Sequence, residues 1–263
     1  MRVENNLKWI LLFLVLSVIN LGKEFKIISY NIYGARLANG TTLGESIKRY
    51  DPDFVSLQEV DKNTKRSNFK DVTREIASVL GYNYYYFQKS REYDGGEYGI
   101  AFISRYPVEK IFTHELPSIG IEKRQVLAAK LTNETYGKNI TVINTHLDYR
   151  PEIKTEELND LLITSQLIEG DIKFLSGDFN FLPTSDHYKG ISSDWRDTYY
   201  EGENIKEDGT KEKRTSDTPR IDYILGEKLD SWTTKKSFFI NDDTQEWTKL
   251  SDHLPYMVIL DIK

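Results

Sequence analysis

Short runs rich in β-branched and aromatic residues recur along the whole chain, and they constrain its fold more than any other feature. They are Phe25–Tyr30, Phe54–Leu57, Tyr82–Phe87, Ile100–Ser104, Val126–Leu131, Ile140–Thr145, Ile172–Leu175, Ile221–Leu225 and Met257–Leu260. Each is bounded by turn formers, as strands are. Helical patterns are fewer: Thr42–Tyr50, Asp71–Leu80 and Glu152–Glu169. Pro151 suits the first position of the last of these, and Leu158, Leu161, Leu162 and Leu167 are expected to line one face of it. Many strands with few helices between them predict stacked sheets covered by helices, an α/β sandwich. With no internal repeat and no Pro/Ser/Gly-rich linker, residues 23–263 read as one domain. The aromatic run Tyr82, Tyr84, Tyr85, Tyr86 and Phe87 is expected to pack into the core by one face. The charged stretch Glu201–Thr218 is expected to be an exposed loop.

Residues 1–22 differ from the rest. Arg2 and Lys8 precede the run Trp9–Ile19, in which Ser17 alone is polar, and Gly22 and Lys23 close it. A basic start, a short apolar stretch and a small residue make the pattern of a secretory signal peptide. The run is shorter than the roughly 20 apolar residues of a comfortable bilayer crossing. No A-x-A cleavage site follows it, so an uncleaved N-terminal membrane anchor is the second reading and a buried N-terminal element the third. The protein is expected to be secreted or anchored at the outer face of the cytoplasmic membrane. Absent disulfides do not oppose export, since a domain this size needs no such staples.

Composition narrows the chemistry. Hydrophobic residues make up 39% and charged residues 29%, as in a soluble domain with a sizeable core. The net charge of −6 argues against a sequence-blind DNA coat, but not against an enzyme with a local basic pocket. Cysteine is absent, which excludes disulfides, thiolate metal sites and a thiol nucleophile. Oxygen and nitrogen groups must carry whatever this chain does.

Those groups collect where strands end. Phe25–Tyr30 runs into Asn31, Phe54–Leu57 into Gln58 and Glu59, and Ile140–Thr145 into His146 and Asp148. Ile172–Ser176 runs into Gly177, Asp178, Phe179 and Asn180; Asp222 opens a further run, and Asp252-His253 precedes the last one. Taken singly, each is as easily a turn, a cap or a solvated side chain. Together they match the way α/β proteins gather catalytic groups at strand ends. Glu59 with Asp and Asn oxygens is a hard donor set, suited to Mg²⁺ or Mn²⁺. A His–Asp pair can activate water. No G-x-S-x-G elbow or phosphate-cradling G-x-x-x-x-G-K-[ST] loop suggests a covalent or P-loop route.

In order along the chain stand Ser29-Tyr30-Asn31-Ile32, Leu57-Gln58-Glu59-Val60, Gly99-Ile100-Ala101-Phe102-Ile103-Ser104-Arg105 and Asn144-Thr145-His146-Leu147. Ser176-Gly177-Asp178-Phe179-Asn180, Arg220-Ile221-Asp222-Tyr223-Ile224 and Ser251-Asp252-His253-Leu254-Pro255 follow. This series resembles the endonuclease/exonuclease/phosphatase superfamily, the fold of deoxyribonuclease I, neutral sphingomyelinases and inositol polyphosphate 5-phosphatases. The resemblance covers about Phe25 to Ile262. It implies a four-layer α/β sandwich, two mostly antiparallel β-sheets packed face to face with helices outside.

Position by position, the resemblance implies that Glu59 is the principal metal ligand, with Asn31 beside it and Asp252 at or near the ion. Asp178 and Asn180 resemble the pair that orients the attacking water and the phosphoryl group. His253 resembles the histidine on the catalytic water and Asp222 its orienting carboxylate. His146 resembles the second histidine, a phosphate binder or proton donor. Arg124 is the candidate for positive charge at the substrate phosphate, and a surface role is its alternative. Abasic-site endonucleases typically carry Tyr in place of His146 and Lys in place of Asp61, so DNA repair is disfavoured. The glutamate that pairs with the second histidine in deoxyribonuclease I has Glu97 as its candidate here. The expected activity is a Mg²⁺- or Mn²⁺-dependent phosphohydrolase, a phosphodiesterase ahead of a phosphomonoesterase. A nonspecific nuclease and a silent binding module are the alternatives. The partner is a phosphate ester, whether lipid headgroup, nucleotide or sugar phosphate; nucleic acid stays open, and no stable protein partner is implied.

Overall fold

The computed structural model describes residues 23–132, 135–201 and 220–263. The signal or anchor segment and nearly all of the Glu201–Thr218 stretch therefore lie outside the described residues. In chain order the strands are β1 (Lys23–Asn31), β2 (Phe54–Lys62), β3 (Tyr84–Tyr93), β4 (Gly96–Ser104), β5 (Val108–Glu115) and β6 (Gln125–Leu131). β7 (Ile140–His146), β8 (Ile172–Asp178), β9 (Trp195–Asp197), β10 (Asp222–Glu227), β11 (Trp232–Phe239) and β12 (Tyr256–Ile262) follow. The helices are α1 (Gly40–Lys48), α2 (Val72–Leu80), α3 (Pro151–Leu167), α4 (Asp186–Ile191) and α5 (Thr198–Glu201).

Two six-stranded sheets result, ordered β11-β12-β1-β2-β4-β3 and β5-β6-β7-β8-β10-β9. The pairs β1–β2 and β7–β8 are parallel; the other pairs are antiparallel. This is the expected α/β sandwich. Because both faces of each sheet are covered, successive residues of one strand enter different cores, which is why the strands read as continuous apolar runs. Phe25, Ile27, Phe54, Phe102, Phe174 and Trp232 fill the space between the sheets. Ile28, Val55 and Leu57 face the other way, against Leu43 and Ile47 of α1 and Ile76 of α2. Ile143, Leu175 and Tyr223 pack against Leu158 and Leu161 of α3.

Local signals place the helix ends. Asn39 caps α1 by accepting from the Thr42 amide, and Asp71 caps α2 by accepting from the Arg74 amide. Gly81, at φ 79°, ends α2 in the left-handed conformation that glycine adopts freely. Pro151 opens α3 as expected.

Three expectations need correction. The aromatic run is core only in part: Tyr82 and Phe87 pack against the core on the helix side, but β3 is the outermost strand of its sheet, and Tyr84, Tyr85 and Tyr86 are each 38–39% exposed. Tyr86 stacks on Phe102 from the edge, with ring centroids 6.3 Å apart. On α3, Leu158 and Leu161 are buried but Leu167 is 75% exposed, because at about 100° per residue it falls on the face opposite Leu158, with exposed Ile163. Strands β5, β9 and β11 gave no sequence signal. β5 and β11 are rich in Lys, Glu and Thr, and β9 has three residues. All three are outermost strands, which tolerate polar residues.

Phe174 is fully buried against Trp232, with ring centroids 5.3 Å apart. Phe174→Ala should cost about 3–5 kcal/mol in urea unfolding. Tyr86→Ser at the exposed edge should cost less than about 1 kcal/mol. Equal losses would contradict this placement of the core.

Candidate active site

One end of the sandwich is polar, and the sheet register explains why. The parallel pairs align Asn31 with Gln58 and His146 with Asp178, while β10 sets Asp222 opposite Asp178. Chemistry-bearing residues from both sheets therefore reach the same end of the molecule.

The transition from apolar core to site is made by buried amides and hydroxyls. Ser56 and Ser176 meet across the sheets at 2.6 Å. The Asn144 side-chain amide donates to the carbonyls of Leu57 (3.0 Å) and Ala101 (2.9 Å), and its oxygen accepts from Gln58 Nε2 at 2.7 Å. Leu57 and Ala101 form the last ladder pair before β2 bulges, and Val60 is the next residue to pair with β4. Inside the bulge Glu59 takes φ 54°, a left-handed conformation uncommon for a non-glycine residue. The bulge turns the Glu59 carboxylate towards Asn31, whose Nδ2 donates to Glu59 Oε1 at 3.1 Å and to Asp178 Oδ2 at 3.1 Å. The Asn31 oxygen accepts from the Tyr33 amide, at the start of a turn in which Tyr33, Gly34 and Ala35 are all left-handed (φ 52°, 63° and 50°).

Asp178 is the hub. Its Oδ1 accepts from the Asn180 amide at 2.9 Å, and Asn180 itself is left-handed at φ 51°. The Asn180 side chain spans to the Leu147 carbonyl (2.9 Å) and His146 Nε2 (3.3 Å). The Nε2 atoms of His146 and His253 each lie 3.7 Å from Asp178 Oδ2. His253 Nδ1 is held by Asp222 Oδ2 at 2.8 Å. Ser251 fixes this loop by donating to the Asn31 carbonyl at 2.7 Å and accepting from the His253 amide at 3.2 Å.

The two histidines sit in opposite fields. Burial, reinforced by the Arg124 charge, holds His146 well below its ordinary range, so it stays neutral at pH 7. Burial would lower His253 too, but the hydrogen bond and charge of Asp222 outweigh it and raise His253 to about 9. Burial and the neighbouring Asp222 push the Asp178 carboxyl up. Asp178, Asp222 and His253 offer ligand atoms that all lie within 4.8 Å of one another. Asp222 Oδ1 is buried with no hydrogen-bond partner. Crowded carboxylates with an orphaned oxygen form a donor set that a divalent cation would satisfy. This buried Asp/Asp/His cluster is able to hold a metal ion.

The fold thus brings Asn31, Glu59, His146, Asp178, Asn180, Asp222 and His253 together. Asp252 is exposed at the rim beside them and accepts from Ser251 Oγ at 3.4 Å. Arg124 lies behind the site: its guanidinium meets Glu122 at 2.8 Å and Asp148 at 3.6 Å, and the residue is 6% exposed. Glu97 does not pair with His146; it lies against Lys62 and Lys89.

Several supporting residues carried no sequence signal. Tyr98 is buried, and burial together with the Glu59 and Glu122 carboxylates pushes its hydroxyl up. On α3, Lys154 donates to the Phe179 carbonyl at 3.3 Å, and both Glu157 oxygens accept from the Asp148 amide. That helix thereby ties together the loops bearing His146 and Asn180. Burial pulls Lys154 down to about 8 and pushes Glu157 up to about 7. Charged residues in a helix pattern normally face water, so nothing in the sequence marks this pair.

The Exo_endo_phos model, which describes the Endonuclease/Exonuclease/phosphatase family, matches residues 28–253. The chain is 27% identical over 169 residues to the uncharacterized protein YbhP of Escherichia coli strain K12, covering 60% of this chain and 67% of YbhP. Among solved structures, an endonuclease/exonuclease/phosphatase from Beutenbergia cavernae superposes with a TM-score of 0.72 at 19% identity, covering 91% of this chain and 72% of that one. The human nocturnin catalytic domain with bound sulfate gives 0.70 at 21%, covering 91% and 94%. At these identities the structural likeness establishes the fold.

Asn144→Ala would remove a hydrogen bond from each of the Leu57 and Ala101 carbonyls and leave the Gln58 amide only Ser29 Oγ at 3.3 Å. It should cost about 2–4 kcal/mol in urea unfolding; an unchanged midpoint would show that the clamp is idle. A second expectation concerns acid. Burial alone would raise Asp148, but hydrogen bonds from Arg150 and the charge of Arg124 hold it at about 2. Its folded-state pKa lies below its unfolded value. Its stabilisation is therefore complete above pH of about 4 and fades as pH falls towards 2. Urea midpoints of the native chain and Asp148→Asn should differ at pH 7 and converge as the pH approaches 2; a gap independent of pH would refute this.

Proposed function

This chain belongs to the endonuclease/exonuclease/phosphatase family, and from that premise we propose that it is an exported Mg²⁺- or Mn²⁺-dependent phosphodiesterase. Family membership and the buried Asp/Asp/His cluster support a metal-dependent phosphohydrolase in general. One observation carries the finer reading: His253 Nδ1 is held at 2.8 Å by Asp222, so Nε2 faces the cluster around Asp178. A carboxylate-oriented imidazole beside a hard-oxygen cation site is the arrangement that water activation needs.

Glu59, Asn31 and Asp252, with Asp178 beside them, would hold the cation and leave His253 Nε2 free for the water; once bound, the cation would polarise the phosphoryl oxygen and stabilise the charge on the leaving oxygen. Asp178 and Asn180 hold the water and the phosphoryl group in line. Compensating the carboxylate charge would return His253 towards its ordinary range, where Nε2 accepts the proton of the attacking water. The new O–P bond forms as the opposite P–O bond breaks, so phosphorus inverts. Neutral His146, on the other side of Asp178, is placed to hydrogen-bond a phosphate oxygen. Arg124, occupied by Glu122 and Asp148, acts through its charge on His146. Two histidines at the phosphoryl position, one to take the proton of the water and one to hold a phosphate oxygen, favour a diester, whose departing oxygen the cation would stabilise.

The test is hydrolysis of bis-nitrophenyl against mono-nitrophenyl phosphate with Mg²⁺, Mn²⁺ or chelator. Diester cleavage should exceed monoester cleavage and vanish with chelator. His253→Ala should lower it about 10²–10⁴-fold, and Glu59→Gln should raise the metal concentration required. Turnover that survives chelation, or a trapped phosphoenzyme, would refute the mechanism. Monoester preference would redirect the assignment to sugar or inositol phosphates.

A further inference from the structure

The two ends of the sandwich are distinct, and the chain enters at the one without the site. β1 runs from Lys23 to Asn31. Its register with β2 sets Ile27 beside Phe54, which pairs with Ser104, which pairs with Tyr84. Phe54, Ser104 and Tyr84, level with Ile27, close their strands on the side away from Asn31 and Glu59, and Lys23 lies four residues further out on that side. Nine residues of strand place Lys23 about 26 Å from Asn31. Upstream, only Asn20, Leu21 and Gly22 separate Lys23 from the end of the apolar run Trp9–Ile19. Even fully extended, that tether spans no more than about 14 Å.

We infer that the end bearing Lys23 faces the membrane, with Trp9–Ile19 retained as the anchor. The active-site mouth then opens away from the bilayer and takes water-soluble phosphate esters rather than headgroups of the anchoring membrane. The substrate half of this inference rests on the phosphohydrolase reading above; the orientation rests on the register and the tether. β1 is an inner strand of its sheet, so the tether leaves from the middle of this end. Around it, Lys48, Lys228, Lys263, Tyr84, Tyr85 and Leu229 are exposed. Lys48, Tyr82, Tyr84 and Arg105 share an open hollow of about 400 Å³ there. Tyrosine and lysine, each with an apolar body and a polar tip, suit the headgroup region of an anionic bilayer. Of the carboxylates there, Asp51 is paired with Arg105 and Lys26 and Glu24 with Lys235, while exposed Asp230 beside Leu229 adds a negative charge with no ion pair among the described residues. The mouth has exposed apolar side chains of its own, including Phe69 and Ile121, so apolarity alone does not tell the ends apart. The short tether does.

The cysteine-free chain permits a direct test. Tyr84→Cys and Phe69→Cys, each labelled with an environment-sensitive NBD probe, are reconstituted as full chains in phosphatidylcholine/phosphatidylglycerol vesicles. At position 84 the probe should shift to the blue and lose most of its emission to doxyl-labelled lipid; at position 69 it should do neither. The reverse pattern, no response at either position, or a native membrane-isolated protein starting after residue 22 would overturn the orientation. In the same vesicles, bis-nitrophenyl phosphate should be hydrolysed while the phosphatidylcholine stays intact. Comparable cleavage of the lipid would overturn the substrate half. Failure to hydrolyse either would count against the phosphohydrolase reading, while the probes still decide the orientation.

Discussion

The side-chain amide of Asn144, fixed between the two sheets, is the interaction on which the arrangement of the site depends. A bulge in β2 is what turns Glu59 towards Asn31, and a bulge interrupts the ladder of hydrogen bonds beside it. In a buried place, unpaired backbone groups are costly. Asn144 reaches from the opposite sheet to the last ladder pair, Leu57 and Ala101, and takes up Gln58 as well. It thus stabilises the irregular backbone and couples β2 to β7, the strand that carries His146 two residues later. An apolar residue at that position would pack, but could not hold the left-handed Glu59 in place.

Around this clamp the protein concentrates charge that a core would ordinarily exclude. Asp148, Lys154, Glu157, Asp178, Arg220 and Asp222 are all buried. Each is tolerable because a partner of opposite sign or a backbone dipole faces it, as the Asp148 amide faces Glu157 and the Phe179 carbonyl faces Lys154. Asp178 and Asp222 are the most crowded of these, two carboxylates on paired strands that share His253 between them. A cation beside Asp178 would offset their mutual repulsion, so the least comfortable point of the fold coincides with the candidate metal site. Such stored cost is expected where function, rather than stability, sets the residues.

Much of the frame was legible beforehand because burial on both faces writes itself into composition. β1, β2, β4, β6, β7, β8, β10 and β12 each follow an apolar run, and the polar residues that terminate those runs became the site. Legibility failed where burial weakens. β5 and β11, at the outer edges of their sheets, carry more polar than apolar residues, and Tyr84, Tyr85 and Tyr86 of β3 lie at the rim rather than in the core. It failed also for the surface alternative at Arg124, which is buried against Glu122 and Asp148 and adds its charge to the burial that lowers His146.

The sequence by itself determined the inner strands, the family and the set of residues able to do chemistry, because those follow from residue type, period and order along the chain. Only the tertiary structure decided what each of them faces. Whether His146 or His253 carries a proton depends on Arg124, Asp178 and Asp222, residues distant in the chain whose fields act over a few ångströms. Tyr98 behind Glu59 and the Lys154–Glu157 pair left no mark in the sequence for the same reason. A side chain's type is local, but its partners are set by how two sheets are stacked.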